Sequence, residues 1–147
     1  MLCADRLEIV TGDADRRQRV GVLETSTTWY RRLLGTDPVL DEDVPGLPGH
    51  HEGYHHTLFA LAGDFVLSLH GHAATDAGQR FDEFRPGLDH VGFGCADRGE
   101  LERLQGRLEE LGIEHGGIAE DAVGYALSFR DPDGVALGSS GLPARRR

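Results

Sequence analysis

The clearest pattern of apolar and polar positions lies in the second half of the chain. Residues 88–95 alternate. Asp89, Val91, Phe93 and Cys95 fall on one face, Leu88, His90, Gly92 and Gly94 on the other, and the first set predicts a strand with one packed side. Asp97 then precedes Glu100 by three positions, the spacing of a capping box, and Leu101, Leu104, Leu108 and Leu111 recur at helical intervals until Gly112. This predicts a helix with an acidic N-cap and a glycine stop. Two short strands are expected at residues 113–118 and 124–130. Asp131-Pro132-Asp133-Gly134 is a tight turn, because Pro fixes φ and Gly tolerates positive φ, so residues 135–139 return antiparallel to 125–129.

The first half repeats this order with weaker signals. Residues 1–24 show no period: LEIV is compatible with a short strand, whereas GDADRRQRVG reads as loop, so the opening strand of this half is degenerate. Residues 24–34 predict a helix capped by Thr25 or Ser26, with Trp29, Tyr30, Leu33 and Leu34 as its apolar face and Gly35 as its stop. A strand is expected at 37–43, a turn-rich loop through VPGLPGHHEG, and a hairpin of strands 55–61 and 64–69 about Ala62-Gly63. Turning at Gly63, that hairpin sets Leu58 opposite Ser68 and His56 opposite His70. Residues 73–86 read as a linker, which divides the chain into a first module at 1–72 and a second at 87–147.

Composition narrows the function. A net charge of −10 without a basic stripe argues against nucleic acid as a partner. All fifteen basic residues are arginine; without lysine there is no Schiff-base chemistry and no Walker-type phosphate loop, and the chain has no dinucleotide fingerprint, so no nucleotide cofactor is expected. No apolar run reaches membrane-spanning length and the first residues lack the order of a signal peptide, so the expected location is cytoplasmic and away from the membrane. Cys3 and Cys95 are far apart, and Cys95 reads as a buried free thiol. The Arg-rich runs DADRRQR and LPARRR match what a shifted reading frame yields from GC-rich DNA, a reading that an intact-mass measurement on the natural product would remove.

LDHVGFG, RLEELGI and SFRDPDG, together with WYRRLLG in the first half, resemble the vicinal oxygen chelate superfamily of glyoxalases, bleomycin resistance proteins and extradiol dioxygenases. The resemblance implies an α+β fold in which two βαβββ modules pair into a curved mixed sheet around a cavity. It also implies a divalent metal (Zn, Ni, Mn or Fe) held by a histidine on the first strand of each module and a carboxylate near a last strand, an arrangement that leaves positions open for a substrate. His90 matches the second-module histidine. Elsewhere the chain departs from the pattern: Gly138 stands where members carry Glu, Ser68 at the first-module carboxylate position, and Asp15 at the first-module histidine position. The hairpin register offers a substitute, in which His56, His70 and His90 form a three-histidine metal site with Tyr54 and Glu52 close by.

Gly92, Gly94, Ala126, Ser128 and Gly138 share one face and would leave the cavity roomy, with Arg130 at its rim to meet a carboxylate or phosphate. Tyr54, Ser68, Ser128, Arg130 and Phe93 are therefore the expected substrate contacts, although the alternation of its strand also sets Phe93 against the helix. Two functions fit. One is a metal-dependent lyase, isomerase or dioxygenase acting on a small oxygen-bearing molecule; the other is a metal-free drug-binding protein that stacks an aromatic ligand on Trp29, Tyr54 or Phe93. An exposed edge at the weak first strand predicts a homodimer.

Overall fold

A computed structural model describes residues 7–12, 19–61, 65–72 and 79–141. They form two compact units, one within Asp5–Arg80 and one within Phe81–Arg147.

The first unit runs β1 (Leu7–Gly12), α1 (Arg19–Leu34), β2 (Leu40–Val44), β3 (Tyr54–Ala60) and β4 (Val66–His72). Its sheet has the order β1-β4-β3-β2, with β1 parallel to β4 and the other pairs antiparallel. The opening strand, expected to be degenerate, is therefore present: LEIVTG pairs along its full length with β4. Six residues alternate too briefly for sequence pattern to reveal them, and the parallel partner lies more than fifty positions away.

Helix α1 begins at Arg19, upstream of the expected cap at Thr25 or Ser26. Both lie inside the helix, and Ser26 and Thr27 are buried with Leu23, Tyr30 and Leu33 as part of its packing stripe. Thr25 and Thr28 are exposed, whereas Ser26 and Thr27 turn inward, where Thr27 Oγ1 lies 3.4 Å from Thr57 Oγ1. Across from it, Phe59, Leu67 and Leu69 are fully buried, each stabilising the unit by about 1.5–3 kcal/mol through apolar burial. Gly71 lets the helix approach, since a Cβ there would sit 3.2 Å from Leu23 Cδ2.

The second unit repeats the plan with β5 (Val91–Gly94), α2 (Arg98–Glu110), β6 (His115–Glu120), β7 (Tyr125–Arg130) and β8 (Ala136–Gly141), in the order β5-β8-β7-β6. Asp97 caps the helix as expected, accepting from Glu100 N at 2.7 Å, but the Glu100 side chain reaches back past the cap and accepts from Ala96 N at 2.7 Å rather than from Asp97 N. Gly112 follows the helix at φ 68°, the left-handed stop that glycine adopts without strain. Leu101 and Leu108 of α2 are buried, as are Val91, Phe93, Leu127, Phe129 and Leu137 of the sheet, and α2 packs against β6, β7 and β8. The DPDG turn closes as expected, with Gly134 at φ 85° and its N–H on Asp131 O. The Asp131 carboxylate accepts from Asp133 N (3.0 Å) and Val135 N (2.8 Å).

Part of the expected linker belongs to this second unit. Phe81 N donates to Asp133 O at 3.2 Å, and Glu83 pairs with Arg130. Residues 73–78 lie outside the described residues.

Candidate functional site

The α+β fold of two βαβββ modules leaves each sheet with one face packed on its helix and one face free of it. In the first unit the helix side takes Thr57, Phe59, Leu67 and Leu69, so alternation places Tyr54, His56 and Leu58 of β3 and Ser68, His70 and His72 of β4 on the other side. The hairpin has the register that the sequence predicts, with Leu58 opposite Ser68, His56 opposite His70 and Tyr54 opposite His72.

This register gathers aromatic rings. Tyr54 stacks on His70 with centroids 4.8 Å apart, and lies 5.2 Å from His72, 5.5 Å from His51 and 6.2 Å from His56. His56 and His70 meet edge-on at 4.8 Å. His56 Nε2 lies 3.2 Å from the hydroxyl of the fully buried Ser68, which fixes the ring. The expected substrate contacts Tyr54 and Ser68 and the expected metal ligands His56 and His70 therefore sit together, and His72 and His51 join them. The signal for His72 was in the sequence, two positions after His70 and so on the same face.

On the helix side of the same strand, His55 bridges two carboxylates of β2, with Nε2 on Asp41 at 2.8 Å and Nδ1 on Asp43 at 2.9 Å. Asp41 also accepts from Thr57 at 2.8 Å. Burial alone would lower the pKa of His55, but the hydrogen bonds and charges of the two aspartates outweigh it and hold the imidazole above its usual range. Burial likewise pushes Asp41 up, and the bonds from His55 and Thr57 bring it below the ordinary carboxylate value.

The second unit offers a barer face. Gly92, Gly94, Ser128, Gly138 and Ala126 alternate with the buried side chains, and Gly92 pairs with Gly138, which pairs with Ser128. His90 stands just before β5, exposed, with Nδ1 2.6 Å from Asp89 Oδ1. That bond leaves Nε2 as the nitrogen available to a ligand, on the Gly92 side, where a Cβ at residue 92 would lie 3.9 Å from it.

Phe93 is not offered to a ligand. It is 2% exposed and belongs to the packing under α2, since a β5 residue that fills the helix side cannot also face the other way. Trp29 is carried by α1, on the opposite side of the first sheet from Tyr54, and meets Tyr30 edge-on. Arg130 is committed to the hairpin turn: its guanidinium pairs with Glu83 and donates to Gly134 O at 2.8 Å, and the Glu83 carboxylate is held below its usual range by that partner. Asp15 lies outside the described residues.

A metal of the expected kind needs at least three protein donors. The first unit brings the imidazoles of His56 and His70 together, and the second carries His90 near Gly92, whose pairing partner is Gly138. Within either unit, no three His, Cys, Asp or Glu side chains among the described residues converge on one point. Taken unit by unit, this donor set does not fit a divalent metal.

A family model described as the Glyoxalase/Bleomycin resistance protein/Dioxygenase superfamily matches residues 8–138. Comparison with curated proteins returns no match. Among solved structures, the chain is similar to a glyoxylase/bleomycin resistance protein/dioxygenase domain from Frankia sp. EAN1pec, with 24% identity, TM-score 0.71 and coverage of 98% of this chain and 93% of that one. It is also similar to a lactoylglutathione lyase from Agrobacterium tumefaciens (21% identity, TM-score 0.53, coverage 95% and 92%). A third is a mutant of the fosfomycin resistance protein FosX from Listeria monocytogenes, in complex with Mn(II) and a dihydroxypropylphosphonic acid (14% identity, TM-score 0.58, coverage 93% and 90%). At these identities the structures share the fold. No helix among the described residues is long and apolar enough to cross a membrane.

Proposed function

The chain belongs to the Glyoxalase/Bleomycin resistance protein/Dioxygenase superfamily, and from that membership we propose that it is a metal-free binding protein for a small aromatic, oxygen-bearing molecule. The observation that carries this reading is the ring face of β3 and β4, where Tyr54 and His70 stack 4.8 Å apart with His56 and His72 beside them. A planar ligand gains contact with phenol and imidazole faces at little entropic cost, because these side chains already hold one another. Ser68 and Gly138 support the reading from the other direction, since neither can act as the carboxylate donor that the family pattern calls for.

The discriminating experiment is a titration with bleomycin, followed by tyrosine and tryptophan fluorescence, alongside fosfomycin with Mn(II). Saturable quenching by bleomycin that weakens at least about tenfold in His70→Ala, with no response to fosfomycin and Mn(II), is the expected result. Binding that is indifferent to His70→Ala overturns the assignment of the face.

A second reading has one observation in its favour, the orientation of His90. A histidine whose Nδ1 is bonded to a carboxylate presents Nε2 to a metal in a fixed direction. On this reading His90, His70 and His56 are donors to Zn, Ni, Mn or Fe, and the activity is of the lyase, isomerase or dioxygenase type. Stoichiometric metal in protein purified without tag or chelator, and its loss in His90→Ala, would select it. The homodimer expectation rests on β1 as an edge strand of its sheet, and light scattering that finds only monomer removes it.

A further inference from the structure

The second unit has an open cleft of about 660 Å³ at the end of its sheet, which shares Ala126 with the barer face but does not include His90, Gly92, Ser128 or Gly138. His90 precedes β5 and Cys95 follows it, so roughly 16 Å of extended chain separates that histidine from the cleft. Small residues line it, Ala96 from the loop after β5, Ala119 from the edge strand β6, and Ala126 and Gly141 from the middle strands β7 and β8. Tyr125 forms a wall and lies hard against Gly141: a Cβ there would come within 2.5 Å of Tyr125 Cε2. Glycine at 141 is thus what lets the phenol ring lie flat beside these small residues. Such a volume, with an apolar base and few polar groups, is of a size that takes small molecules.

Among the described residues of the lining, the ionisable carboxyl groups are those of Glu120 and Asp121, and no arginine is present. Glu120 already shares its charge with Arg98. Asp121 does not spend its charge on an ion pair within the turn; its Oδ1 accepts from Val123 N at 2.7 Å and Gly124 N at 3.0 Å, which hold the carboxylate in a fixed orientation at the mouth. Burial pushes the Cys95 thiol up, so this wall stays uncharged at neutral pH.

We propose that this cleft binds a compact organic cation, an alkyl or aryl amine whose apolar body rests on these small residues and whose ammonium meets Asp121. An organic anion of the same shape is repelled by Asp121. The site lies on a different unit from the Tyr54 face, so it stands or falls independently of the bleomycin titration.

The test uses the full chain labelled with ¹⁵N and three probes of one shape: benzylamine, benzyl alcohol and benzoate. Benzylamine is expected to shift the amides of Gly124, Tyr125, Ala126 and Gly141 in a saturable way, whereas benzoate leaves them in place. Asp121→Asn keeps the acceptor for the two turn amides and removes the charge, so it is expected to weaken benzylamine about fivefold with unchanged spectral dispersion. Ala126→Phe fills the cleft and is expected to abolish the shifts. Benzoate or benzyl alcohol binding as tightly as benzylamine, shifts that fall elsewhere, or Asp121→Asn binding at wild-type strength each overturn the proposal.

Discussion

At the scale of single residues, the second unit depends on one aspartate. Asp131 is 6% exposed and its carboxylate holds two amides of the turn that returns β8 to β7. Asp131→Ala leaves both donors without that acceptor, and urea denaturation is expected to show a loss of about 2 kcal/mol. A change near zero would mean that water replaces the carboxylate fully. Gly138 leads to a different expectation. It has ordinary φ, and a Cβ would sit 3.7 Å from Leu127 O, a normal contact, so a side chain fits. Because Gly138 pairs with Gly92, two positions after His90, Gly138→Glu is expected to fold with less than about 1 kcal/mol lost and to bind Zn or Mn more tightly than the parent, as measured by calorimetry. No gain in metal affinity would show that more than this carboxylate is missing.

At the scale of elements, the His55 clasp ties β2 to β3, and β2 is an edge strand. Its contribution has a pH window set by two shifts of opposite sense. His55 is raised above its ordinary value, so its share is full below about pH 6.5 and is lost as pH rises through the folded value. Asp41 is lowered, so its share is present above its ordinary value and is lost as pH falls through the folded one. Hydrogen exchange at the β2 amides is expected to be slowest, after correction for intrinsic rate, between those limits, and His55→Ala is expected to flatten the profile. A wild-type profile as flat as the variant's would remove the clasp. This clasp was not legible in the sequence, because its three residues are spread over fifteen positions and only the strand register brings them together. The register of β3 on β4 was legible, since a short hairpin fixes it once the turn is located. The buried Ser26 and Thr27 mark the limit on the helical side: local chemistry favours hydroxyls at caps, and only the partner Thr57 reveals that they face a sheet.

At the scale of the molecule, both units have the same strand order, yet only the second announces it in sequence, through its capping box, its leucine spacing and its DPDG turn. The candidate site divides in the same way: Tyr54, His56, Ser68 and His70 were within reach of pattern, whereas the cleft beside Tyr125 depends on a close approach to Gly141 that no period encodes. Charge acts on the whole chain at once. The net charge is −10 at neutral pH, so proton uptake on acidification reduces the negative excess. Long-range repulsion between copies then falls away. Light scattering is expected to show growing association as pH is lowered from about 7.5 to about 5.5, reversible on return. Down to about pH 6.5 the His55 clasp gains strength and below that it holds, so amide protection at β2 is expected to rise and then level while colloidal stability falls. Parallel movement of the two would mean that association begins from a partly unfolded first unit, with the edge strands of its sheet as the contact.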